Sequence, residues 1–112
     1  MRNFKHHITE LYAHVKKAEA KWPDGIKCIS PSADIPPTEV ARLHQLAKVA
    51  SESEQANGSC SYLTTLAEEM YEACIAANQG AWDLCYAELA DAGAVVLRAM
   101  ELIHPLLEEN QP

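Results

Sequence analysis

The chain has 112 residues, one domain's worth, and its 48% apolar and 22% charged composition is that of a folded globular protein. Sixteen acidic residues against nine basic ones give a net charge of −7, divided unevenly: residues 1–48 hold eight Lys/Arg and five Asp/Glu, residues 49–112 one Arg and eleven Asp/Glu. Such an acidic half repels a phosphate backbone, which argues against nucleic acid as a partner, and the run Ala92 to Leu97 is far too short for a membrane span.

The N-terminal residues Arg2, Lys5, His6, His7 and Glu10 leave no apolar core of signal-peptide length, so a cytoplasmic location is expected. Cys28, Cys60, Cys74 and Cys85 form neither a CxxC pair nor a Cys/His knuckle, and reduced thiols are expected. Residues 3–21 space Phe4, Ile8, Leu11, Val15 and Ala18, then Trp22, at alternating steps of four and three, which predicts an amphipathic helix with Trp22 in the core. His6, His7 and His14 fall on its polar flank and are expected to be solvated. Pro23, Asp24-Gly25, Pro31 and Pro36-Pro37 mark residues 22–37 as a loop.

Thr38 is the expected N-cap of a second helix with the apolar face Val40, Leu43, Ala47 and Ala50, which gives way in the polar run Ser51 to Ser61. A third helix is predicted over Tyr62 to Asn78, ended by Gly80. A fourth is predicted over Trp82 to Ile103, stopped by Pro105. No strand-length alternation of β-branched and polar residues occurs. The expectation is a single all-α domain over residues 1–112, with four bundle-like helices and a C-terminal helical hairpin carrying the acidic motifs.

The fourth helix is nearly apolar all round, which predicts burial. One face collects Ala81, Leu84, Glu88, Asp91, Ala92, Val95, Ala99 and Leu102, so Glu88 and Asp91 sit inside an apolar stripe. A buried carboxylate costs several kcal/mol unless paired or metal-bound, and Arg98 is the one base in this half. On the third helix Glu69 and Glu72 stand three apart on one face, with Leu63, Leu66, Ala67, Met70, Cys74 and Ala77 on the other. Taken alone, such an acidic face reads as solvated.

The turn at Gly80 changes that reading. Glu72 lies eight residues before it and Glu88 eight after, while Glu69 and Asp91 both lie eleven away. In an antiparallel hairpin both pairs therefore stand at matching heights. Four carboxylates at one level repel unless divalent cations sit between them, and all-oxygen ligands suit Mg²⁺ or Mn²⁺.

Glu68-Glu69-x-x-Glu72 followed by Glu88-x-x-Asp91 resembles the EExxE…ExxD signature of the all-α, MazG-like nucleotide pyrophosphohydrolases, and LAEEMYEA and ELADAGAVVLRAMELI are similar to the text around it. The resemblance covers residues 61–104. It implies Glu69, Glu72, Glu88 and Asp91 as metal ligands, with Glu68 orienting them or positioning water. It also implies Mg²⁺-dependent hydrolysis of a nucleotide substrate, a nucleoside triphosphate, to the monophosphate and pyrophosphate. Arg98, two turns beyond Asp91, is the candidate to hold phosphate oxygens, or else pairs with Glu101. Other basic contacts are expected from the N-terminal half or another subunit. A hairpin with two apolar sides needs more cover than two helices give, so a homo-oligomer, dimer or tetramer, is expected. The alternative function is a non-catalytic helical adaptor that turns its acidic face to a partner. Glu101-x-x-His104 has the spacing of di-iron carboxylate bundles, but the chain holds no second such pair.

Overall fold

The computed structural model describes residues 4–24, 28–31 and 34–109. They form four helices, α1 (Phe4–Lys21), α2 (Pro37–Ala56), α3 (Tyr62–Asn78) and α4 (Trp82–Glu109), with no strand among the described residues. The fold is all-α and bundle-like, with α3 and α4 as the C-terminal hairpin. Among the described residues, no helix is long and apolar enough to cross a membrane. The chain packs as two units, residues 28–95 in one and residues 1–27 with 96–112 in the other, so α4 contributes to both.

Local chemistry sets the helix ends. Pro36, in extended backbone, is the N-cap of α2, and Pro37 occupies its first turn, where the missing N–H is no loss. The helix thus starts earlier than a Thr38 cap implies. It also runs on through the polar stretch to Ala56. Gly58, at φ +67, ends it with Ser59 N–H donating to Glu54 O and Gly58 N–H to Gln55 O. Gly80, at φ +71, ends α3 the same way: Ala81 N–H donates to Ala76 O, and Gly80 N–H to Ala77 O. Both are left-handed glycine caps that satisfy the last carbonyls. Ser61 caps α3, its hydroxyl accepting from Thr64 N–H. Glu54 ties α2 to this cap by accepting from Ser61 N–H at 2.8 Å and Thr64 Oγ1 at 2.6 Å.

The core of the 28–95 unit is built from small side chains. Ala73, Ala76, Ala77 and Cys85 form the buried cluster, with Ala81 packed against it. The inward stripe runs from Ala81 through Cys85, Glu88, Ala92 and Val95 of α4, spaced by four and three, with Cys85 and Ala92 buried and the others half-buried. It keeps Ala81, Glu88, Ala92 and Val95 of the predicted face, while Leu84 and Asp91 are exposed. Nor is α4 buried all round: Trp82, Tyr86 and Leu89 are exposed along its opposite side. All four cysteines are free thiols, as expected.

Three expectations in the other unit are overturned. Trp22 is exposed, with Lys21 Nζ 4.6 Å from its ring centroid, because a residue just past the helix end is not held against a partner. His7 is only 1% exposed, since Glu101 accepts a hydrogen bond from it. Pro105 lies inside α4, which continues to Glu109. Proline forfeits one N–H bond and crowds the carbonyl four residues back, yet its own φ is helical, so the helix can run on.

Gly93 is exposed on α4, and an added Cβ meets nothing within 4 Å. Among the described residues, no neighbour requires glycine there. Gly93→Ala should therefore raise stability by about 0.5–1 kcal/mol, read as the denaturation midpoint. An unchanged or lower midpoint would place a close contact at this position.

Candidate metal centre

α3 turns its acidic face inward. Ala73 and Ala76 are buried on the side of Glu69 and Glu72. On the face predicted to pack, Ala77 is buried and Leu66, Ala67 and Cys74 are half-buried, but Leu63 and Met70 are exposed. Alanines let the helices approach closely, and that proximity half-buries the glutamates. The solvated reading of this face fails for that reason.

Two groups of ligands result. Glu69, Glu88 and Asp91 each place a carboxylate oxygen within 4.8 Å of the others. His44, Glu68 and Glu72 form a second such set beside it, with His44 Nε2 3.3 Å from Glu72 Oε1. Glu88 joins the two, because it interacts with both Glu69 and Glu72. The structure thus gathers Glu68, Glu69, Glu72, Glu88 and Asp91. Arg98, exposed, belongs to the part of α4 that packs in the other unit.

The electrostatics record the crowding. Burial pushes the Glu69 carboxyl up to about 7, helped by its hydrogen bond with Glu88 and by the charges of Glu72, Glu88 and Asp91. Glu72 is raised too, first by burial; the His44 hydrogen bond opposes this, and Glu88 and the charge of Glu68 add to it. Glu69 Oε2 is buried and has no hydrogen-bond partner. A buried carboxylate oxygen without a donor, inside a group of like charges, is what a divalent cation relieves. The donor set is carboxylate oxygens with one imidazole, so the residues present fit Mg²⁺ or Mn²⁺.

His44 escaped the reading of the sequence, which took Leu43 as the apolar position of that turn. The signal was there: Val40, His44, Ala47 and Ser51 recur at four, three and four, and the structure buries Val40, Ala47 and Ser51. His44 is therefore on the inward stripe of α2, the helix packed against α3.

A cavity of about 280 Å³ lies one turn beyond Glu72 along α3, lined by Pro37, Ala41, Ile75, Asn78 and Gln79. Compared with known protein families, curated proteins and solved structures, the chain matches none.

Proposed function

We propose that this protein is a Mg²⁺-dependent nucleotide pyrophosphohydrolase of the MazG-like type, converting a nucleoside triphosphate and water to the monophosphate and pyrophosphate. The observation that carries this reading is the inward-facing carboxylate cluster with the orphaned, buried Glu69 Oε2. Glu69, Glu72, Glu88 and Asp91 would hold the metal, which supplies charge compensation for phosphate oxygens and activation of water.

The remaining roles belong to the chain's own groups. His44 fixes the Glu72 carboxylate by its hydrogen bond, as partners of metal ligands do. Glu68, half-buried next to it, can accept a hydrogen bond from water and orient it. The cavity near Glu72 pairs the apolar walls of Pro37, Ala41 and Ile75 with the amides of Asn78 and Gln79, a combination suited to a nucleobase.

The reading includes a homo-oligomer. Trp82, Tyr86 and Leu89 are 57%, 78% and 41% exposed and follow one another at steps of four and three, an apolar stripe of the kind that packs against another subunit.

The test is a panel of nucleoside and deoxynucleoside triphosphates incubated with the protein and Mg²⁺, with pyrophosphate and monophosphate measured. Stoichiometric release of both, abolished by chelation, is the expected result. Orthophosphate instead of pyrophosphate refutes the proposed bond cleavage. No turnover of any member, together with a melting temperature indifferent to millimolar Mg²⁺, favours the helical adaptor.

A further inference from the structure

The unit formed by α1 and the C-terminal part of α4 contains a second cluster of ligating side chains, with different chemistry. His6, His7 and Glu10 each bring a ligand atom within 4.8 Å of the others. His104 completes the group: the three imidazole centroids are 5.5–5.6 Å apart, each pair edge to face. The sequence pattern behind it is His6-His7-x-x-Glu10 on α1 and Glu101-x-x-His104 on α4. Neither half is a metal motif alone.

His7 is the most buried member of the cluster. Its Nε2 lies 2.9 Å from Glu101 Oε2, and a carboxylate accepts, so this nitrogen carries the hydrogen. Nδ1 is then the ring nitrogen left for another partner. That atom is buried, in a side chain 1% exposed, and it has no hydrogen-bond partner. A carboxylate on one imidazole nitrogen with the other left for a cation is the outer-shell arrangement that orients histidine ligands. A cavity of about 110 Å³ opens beside it, lined by His7, Glu10, Met100, Ile103, His104 and Leu107.

We infer that His6, His7, Glu10 and His104 form a binding site for a borderline transition-metal cation of the Zn²⁺ class, with Glu101 orienting His7. Imidazole-rich sets with one carboxylate suit Zn²⁺, not Mg²⁺. Ligand atoms around a tetrahedral zinc stand about 3.4 Å apart. Those of His6, His7 and Glu10 already lie within 4.8 Å of one another, and the His104 ring centroid is 5.5 and 5.6 Å from those of His6 and His7, so the set closes by small side-chain movements. His6 Nε2 must leave its 2.7 Å contact with Glu10 Oε1, and both then turn to the cation. Such a site clips α1 to the end of α4, independently of the acidic cluster.

The experiment titrates the chelator-stripped full chain with Zn²⁺ by calorimetry and, in parallel, with Co²⁺ followed by visible absorption. A single high-affinity equivalent with four-coordinate Co²⁺ bands is expected. His6→Ala and Glu10→Ala should each weaken Zn²⁺ binding by more than the roughly 10–100-fold that loss of an outer-shell partner causes, whereas Glu69→Gln should leave it unchanged. His7→Gln should abolish it; should that variant fail to fold, the substitutions at exposed His6 and Glu10 decide. The inference is overturned if the stripped chain takes up no stoichiometric Zn²⁺. It is equally overturned if the affinity survives His6→Ala and Glu10→Ala together, or is lost in Glu69→Gln.

Discussion

Glu72→Gln and Asp91→Asn should each cut pyrophosphate release by a factor on the order of 10² or more, with the helical circular dichroism signal intact. Both replacements keep the side-chain shape and remove one negative charge, so packing is preserved while a ligand oxygen becomes a poor one. A several-kcal/mol contribution from the cation to the transition state corresponds to that factor or more. The structure adds a contrast. Glu72 is half-buried and hydrogen-bonded to His44, whereas Asp91 is exposed at the edge of the cluster. Loss of the Glu72 charge should also weaken the hold of His44, so His44→Ala should act in the same direction as Glu72→Gln and less strongly. Full activity in either carboxylate variant overturns the ligand assignment.

The metal-free protein should be more stable at about pH 5.5 than at about pH 7.5, by about 1–2 kcal/mol, or roughly 5–10 °C in Tm. The sign follows from Glu69. Its carboxyl is raised to about 7 in the folded protein from a value of 4.5. Between those values the folded state holds a proton that the unfolded chain has released, so stability falls as pH rises through that window. The raised Glu72 carboxyl acts the same way. The figure is smaller than full linkage gives, because the site is half open to water and screened. Glu69→Gln should flatten the slope and raise the metal-free Tm at about pH 7.5. Millimolar Mg²⁺ should restore stability at about pH 7.5 and do little at about pH 5.5, where protons already occupy the cluster. An undiminished slope in Glu69→Gln would mean that other groups set it. Indifference to Mg²⁺ at the higher pH would remove the metal centre.

The caps show where local sequence suffices. Gly80 and Gly58 end α3 and α2 because a left-handed residue is cheap only for glycine, and that preference needs no tertiary partner. The level matching of Glu72 with Glu88 and of Glu69 with Asp91 is also legible, since it follows from helix rise and one turn. Which way each face points is not. Along α3 the apolar and acidic faces suggest Leu63 and Met70 inside, yet both are exposed, alanines form the interior and Glu69 and Glu72 are half-buried against it. Hydrophobic periodicity reports how much apolar surface a face carries, not how closely a partner helix approaches it.

By itself, then, the sequence determined four helices, an all-α chain and a hairpin that brings acidic residues to one height, all consequences of backbone preference and spacing within about twenty residues. Tertiary structure alone decided that these carboxylates turn inward, that His44 joins them across 28 positions, and that His7 is buried against Glu101 across 94. The physical reason is common to all three. The cost of burying a polar group is local, while the contact that offsets it comes from another helix, and no short-range pattern records which residue that will be.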